Sequence, residues 1–354
     1  MRRYWYRRIL IMILVFTITV GGSYYLIERR ETFINQEVNA KTSGKIMVIP
    51  GGMPVGIYLE TEGVMILGTE EVKNIEGMMC EPAKHLLKAG DYIQKINNQK
   101  VSTKQELIEA IENMKEDEVL LQVSRREEII DIKLKAVEYK KDEFKLGIWV
   151  RDNAQGLGTI TYLTAQSEFG ALGHGIHDVD TNKLLEIASG RIYATSIKDI
   201  QKGEDGVPGG MEGIIVYNNY NILGTINKNT ETGIYGKIKR IETLFNDQTP
   251  IEIGTKTGIK EGAAKIRCSV EGQVEEYEVK IEKIDLNTKE MNKGILLEIT
   301  DEKLLEITGG IVQGMSGSPI IQDDKLVGAV THVLVNDPTR GYGIFIENML
   351  EAAG

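Results

Sequence analysis

The chain has 354 residues, 42% hydrophobic and 27% charged, which suits a globular protein of two or three domains better than one large core. A net charge of −10 supplies no basic face and excludes a nucleic-acid binder. Thirty-eight glycines against seven prolines, among many Val, Ile and Thr, point to short strands joined by tight turns.

In chain order, Arg2, Arg3, Arg7 and Arg8 precede an uncharged apolar run from Ile9 to Ile27. A bilayer needs about 20 apolar residues, so residues 1–30 are expected to be a basic cytoplasmic end and a transmembrane anchor, with the rest extracytoplasmic. A cleaved signal peptide is the competing reading, and Val20-Gly21-Gly22 is a poor cleavage site for it. Polar residues 31–44 form a tether. Residues 45–138 are expected to be a first domain, with short strands at Lys45–Pro50, Gly56–Glu60 and Val64–Gly68. A helix follows over Ser102–Lys115, with Ser102 as N-cap and Leu107, Ile108, Ile111 and Met114 as its apolar stripe. Strands are expected at Val119–Val123 and Ile129–Leu134.

Charged residues 139–145 mark a boundary. Over 146–354 short Val/Ile/Thr-rich runs alternate with Gly turns, among them Gly158–Tyr162, Gly213–Tyr217, Val279–Ile284, Gly294–Ile299 and Val327–Val335. That is the pattern of a β-barrel or sandwich, with one helical turn at Glu347–Ala353. The fold class is mainly β. Cys80 and Cys268 are too few for a disulfide framework and lack metal-ligand spacing, so neither a metal nor another cofactor is expected.

The run Leu86–Asn97, with Gly90-Asp91-Tyr92-Ile93 and Ile96-Asn97, resembles the Gly-Asp segment of PDZ domains. Upstream, Val55-Gly56-Ile57 is similar to the PDZ carboxylate-binding loop. The resemblance implies that residues 45–138 bind a peptide by strand addition beside Val55, Gly56 and Ile57. Gly56 would permit close backbone approach. Pro54 lacks an N–H, which weakens the carboxylate nest and leaves both an internal segment and a free C-terminus open as the ligand.

The strongest chemical signal is Gly314-Met315-Ser316-Gly317-Ser318-Pro319. A serine nucleophile needs a tight turn whose N–H groups face the developing oxyanion. The hexapeptide resembles the Gly-x-Ser-Gly-x-Pro motif of chymotrypsin-like serine proteases, which implies Ser316 as nucleophile and the N–H groups of Gly314 and Ser316 as the oxyanion hole. A serine also needs a base. Of the four histidines, His85 falls in the first domain and His332 follows the nucleophile. His174 lies in a Gly-His-Gly turn upstream of Ser316, the order such enzymes use, and His177 is next best. Asp178, Asp180, Asp199, Asp205 and Asp301 are all open as the orienting acid.

Together these pieces resemble the SpoIVB peptidase family. Ile49–Gly56, Lys145–Asp152, the His174 turn and Gly309–Ile321 carry the resemblance nearly end to end. It implies a catalytic set of His174, Asp301 and Ser316 in a chymotrypsin-like β-barrel domain over 146–354. It also implies a role in sporulation signalling from the forespore intermembrane space. There such an enzyme cleaves a regulatory subunit of an intramembrane metalloprotease complex, so that a late sigma factor is processed, and cleaves itself with help from its PDZ domain. The competing classes are a quality-control protease of the HtrA/Deg type, which places its PDZ unit after the protease domain, and a non-catalytic PDZ scaffold.

Overall fold

The computed structural model describes residues 45–245 and 249–354. The anchor and tether expected over 1–44 lie outside the described residues. Among the described residues no helix is long and apolar enough to cross a membrane.

The first strands are β1 (Met47–Pro50) and β2 (Pro54–Thr69). Where the sequence suggested two short strands there is one strand of 16 residues. The polar stretch between them is a bulge rather than a turn. Gly63 has φ +98°, and Thr61 Oγ1 donates to its carbonyl at 2.6 Å, so the ladder is interrupted without reversing.

Past the bulge, β2 opens a small α+β unit that continues with β3 (Tyr92–Ile96), α1 (Lys104–Glu112), β4 (Glu118–Arg125) and β5 (Glu128–Lys135). Its own core includes Val64, Ile66, Ile93, Leu107, Leu121 and Val123. The cap of α1 is Thr103, one residue later than expected, because Glu106 stands three residues beyond it and closes a capping box. Asp91 of the Gly-Asp segment is buried and takes a two-pronged contact from Arg125, at 2.8 and 2.6 Å.

The chain then returns through β6 (Ile148–Leu163), β7 (Glu168–Ala171), β8 (Ile187–Gln201), β9 (Gly210–Ile215), β10 (Ile222–Thr230) and β11 (Gly233–Ile238). Antiparallel pairing runs β2–β8–β10–β11–β7–β6 and back to β2, a closed six-stranded barrel. Its core holds Val55, Ile57 and Leu59 of β2 beside Ile160, Leu172 and Ile192. Each such side chain withdrawn from water contributes about 1.5–3 kcal/mol. A one-residue slip would turn them all outward, so the register is firmly set.

Two sequence expectations are corrected here. The first domain does not begin at residue 45: β1 pairs with β6 and with the strand Ile251–Ile253, residues 54–61 are barrel wall, and the small unit is inserted between the barrel strands β2 and β6. Val55, Gly56 and Ile57 cannot accept a peptide strand, because both edges of β2 are taken at those positions. They face Gly158, Leu157 and Gly156 on one side, and Ala194, Tyr193 and Ile192 on the other. Val55 and Ile57 point into the core. The hydrophobic-Gly-hydrophobic triplet serves a packed barrel wall equally well.

A second barrel follows, with β12 (Ile251–Ile253) at its side. It comprises β13 (Gly262–Cys268), β14 (Glu275–Ile284), β15 (Ile295–Ile299), helix α2 (Glu302–Thr308), β16 (Pro319–Gln322), β17 (Lys325–Leu334) and β18 (Asp337–Phe345). Pairing again closes a six-strand circuit, β13–β14–β15–β18–β17–β16 and back to β13. The terminal helix α3 (Ile346–Ala353) falls where the sequence placed it. Its Ile346 and Met349 pack with Tyr162, Tyr235, Leu326 and Ile344, which joins the barrels.

Candidate active site

His174 follows β7 on a turn whose preceding residues, Leu172 and Gly173, both have φ of 71°. The flanking glycines answer to crowding. A Cβ on Gly173 would lie 2.8 Å from the Thr331 side chain, and one on Gly175 would lie 2.5 Å from the Thr230 carbonyl oxygen. His174 Nδ1 is 2.9 Å from the Gly175 carbonyl. A carbonyl only accepts, so Nδ1 carries the proton and Nε2 is left with its lone pair. Burial lowers the His174 pKa, against a smaller opposing effect of the Gly175 hydrogen bond. The imidazole is therefore held neutral.

The nucleophile turn is built from the opposite barrel. Helix α2 ends at Gly309 in the left-handed conformation. Gly314 and Gly317, on either side of Ser316, have φ of +101° and +96°. A Cβ at Gly317 would sit 2.1 Å from the Thr159 carbonyl oxygen, so only glycine fits. Thr159 of β6 fastens the loop: its Oγ1 donates to the Gly314 carbonyl at 2.8 Å and its N–H to the Ser316 carbonyl at 3.0 Å. Among the described residues no group accepts from the N–H of Gly314 or of Ser316. Ser316 Oγ donates to the Thr331 carbonyl at 2.8 Å, and no hydrogen bond joins it to His174. Ser318 is fully buried, which removes it as a nucleophile, and among the described residues its hydroxyl has no hydrogen-bond partner.

Ser316, Gly314 and His174 share one cleft of about 490 Å³, with Leu157, Leu172, Ile311 and Val312 among its apolar walls. His177 and His332 line it too, but no carboxylate, lysine or arginine does. His332 was set aside in the sequence because it follows the nucleophile. Its ring stands 5.1 Å from that of His174, and burial, with the repulsion that a second protonated ring beside it would add, pushes its pKa down to about 4. His177 Nδ1 lies 3.3 Å from the Gly175 carbonyl that already serves His174, and its Nε2 pairs with Glu231 at 3.2 Å. His177 lies three residues along the same loop, whereas no sequence spacing announces His332, which strand pairing alone brings to His174.

The acid expected from the family resemblance is not brought to the base. Asp301 caps α2: Oδ1 accepts the Leu304 N–H at 3.0 Å, and Oδ2 the Glu278 N–H at 3.2 Å. With both oxygens held there, Asp301 does not line the cleft. The other aspartates are engaged or distant as well. Asp178 and Asp180 meet Arg151, Asp199 accepts its neighbour's N–H, and Asp205 is exposed. The Gly175 carbonyl does the orienting.

No curated protein matches the chain. Among solved structures, the active form of the Rv3671c protease from M. tuberculosis is similar at 12% identity and TM-score 0.34, over 57% of this chain and 75% of that one. The HtrA-type protease AlgW with a decapeptide is similar at 13% identity and TM-score 0.33, over 57% of this chain and 53% of that one. The family comparison is the stronger finding. The model of SpoIVB peptidase S55 matches residues 142–350, more than half of the chain. That span contains the His174 and Ser316 loops, and the chain belongs to the SpoIVB peptidase S55 family of serine peptidases.

Proposed function

We propose that this serine peptidase is a membrane-anchored, extracytoplasmic endopeptidase of sporulation signalling, with Ser316 as nucleophile and His174 as base. One observation carries the catalytic part: Ser316 and His174, from different barrels, line one cleft beside two backbone N–H groups that, among the described residues, donate to no acceptor. In the reaction the Ser316 hydroxyl turns from Thr331 to His174 Nε2, gives up its proton there, and attacks the scissile carbonyl. The N–H groups of Gly314 and Ser316 hold the oxyanion. His174 then protonates the leaving amine, and water releases the acyl group by the same steps in reverse.

The family match supports a protein substrate at a membrane. We infer a regulatory subunit of an intramembrane metalloprotease complex, whose cleavage lets a late sigma factor be processed, with self-cleavage as a second reaction. The basic, apolar N-terminus supports anchorage, and the family role supports the forespore intermembrane space. The test uses the full chain in vesicles with the extracytoplasmic part of such a subunit and, separately, unfolded casein. Selective cutting of the subunit, abolished in Ser316→Ala, is expected. Comparable degradation of casein would replace the signalling role with quality control. Failure of a fluorophosphonate to label Ser316 would remove the catalytic assignment.

A further inference from the structure

Strand β6 touches three things in succession. Its first residues add to the inserted unit as an edge strand on β2: Ile148, Trp149, Val150 and Arg151 pair with Thr69, Gly68, Ile66 and Met65, on the side of β2 away from β3. Ile148 and Val150 pack against the core that contains Leu107 of α1. Asp152 accepts the Lys104 N–H at the start of that helix at 2.8 Å. This is how an extended peptide fills a groove between strand and helix, and here the chain itself supplies the strand. Farther along, Thr159 of the same strand holds the nucleophile loop.

Arg151 belongs to the docked end. Its guanidinium reaches out of the strand to the loop that carries His174, with Nη1 on Asp178 and Nη2 on Asp180 at 2.7 Å. The Asp178 side chain has no exposure. Its other oxygen takes the N–H groups of Asp180, at 3.1 Å, and Thr181, at 2.8 Å, and so closes the turn. That turn is four residues from His174. Asp178 N–H bonds the Lys183 carbonyl and Leu185 N–H bonds the Ile176 carbonyl, so the segment from His174 to Leu185 is one hydrogen-bonded loop. A buried carboxylate is tolerated only when paired, which makes the Arg151 contact obligatory for this shape.

We propose that Arg151 is a positioning residue for the peptidase reaction: it fastens the His174 loop to the strand docked in the inserted unit, and the placing of the base depends on that bond. The proposal rests on His174 being the base. It gives the inserted unit a part in catalysis without any contact between that unit and substrate. A misplacement of about 1 Å costs on the order of 100-fold in rate.

The experiment compares full-length Arg151→Met, Arg151→Lys, Arg151→Met/Asp178→Asn and His174→Gln on a short peptide ester. Arg151→Met should lower kcat about 100-fold with KM little changed, and Arg151→Lys should recover part of it. The double variant no longer buries a lone carboxylate, so its Tm should return towards wild type while kcat stays low. A merely structural role would restore kcat together with Tm, and that result overturns the proposal, as does a normal kcat in Arg151→Met. An active His174→Gln enzyme would instead remove the reading of His174 on which the proposal stands, so the two failures are told apart in one assay.

Discussion

Thr159 and Ser316 belong to different barrels, yet the amide of the first donates to the carbonyl of the second at 3.0 Å. The Thr159 hydroxyl adds a bond to Gly314, whose N–H is one of the two aimed at the oxyanion. Thr159→Val keeps shape and the main-chain bond but leaves the Gly314 carbonyl without its partner, at a cost of about 1–3 kcal/mol. Much of that strain falls on the oxyanion donors, so we expect kcat on a short ester to drop by roughly 10-fold or more, with KM nearly constant. An unchanged kcat would mean that the main-chain bond alone sets the loop.

The pH dependence follows from the two buried imidazoles. Burial holds the His174 pKa below its ordinary value, and His332 is pushed down to about 4. A base whose folded pKa is depressed stays neutral to lower pH, so the acid limb of kcat/KM should have its midpoint below 6.5. Stability carries the same sign. Below 6.5 the unfolded chain binds protons that the folded chain refuses, so Tm should fall as pH drops through that range. A rate profile with its acid midpoint above 6.5 would contradict the neutral His174 described here.

What the sequence revealed was local. The nucleophile turn and the Gly-His-Gly turn could be read because crowding at Gly173, Gly175 and Gly317 demands glycine, and glycine is visible in a sequence. Helix α1 and the terminal helix showed their periodicity and caps. Pairings across the barrels could not be read. Nothing in Val55-Gly56-Ile57 says that both edges of its strand are occupied, since an alternating apolar stretch serves a barrel wall as well as a groove. Nor does Gly63 look different in a bulge than in a turn. His332 reaches His174 only because β17 crosses behind the nucleophile loop, a long-range fact with no local signature.

Asp301 offers a sharp comparison between the family's pattern and the geometry. A triad aspartate changed to Asn loses about 10⁴-fold in rate, because the histidine takes the wrong tautomer. An N-cap aspartate changed to Asn keeps the cap through its amide oxygen, and here it gives up only the Glu278 N–H that Oδ2 accepts, a small loss of stability that leaves the rate nearly untouched. With Asp301 bonded to Leu304 and Glu278, Asp301→Asn should keep kcat within about 10-fold, the range of a modest loop shift. Asp301→Ala should lower stability by about 1 kcal/mol and disturb the nucleophile loop that α2 leads into. A loss of several orders of magnitude in Asp301→Asn, with Tm unchanged, would show that the carboxylate swings to His174 during the reaction.

Gly56 tests whether the start of β2 is a docking edge or a barrel wall. A Cβ at this position would lie 2.6 Å from the Ile215 side chain, on the hairpin formed by β8 and β9. Gly314 approaches the same hairpin, since its own Cβ would fall 2.7 Å from Met211. Gly56→Val should therefore push that hairpin outward and strain the oxyanion loop, at a cost of about 1–3 kcal/mol for overpacking. Because the damage is to the catalytic wall, kcat/KM should fall by a similar factor for a short peptide ester and for a large protein substrate. Measuring both on one preparation decides the matter. A loss confined to the large substrate, with Tm unchanged, would mean that this strand receives a partner after all, and the double-sided pairing of β2 would have to open in solution.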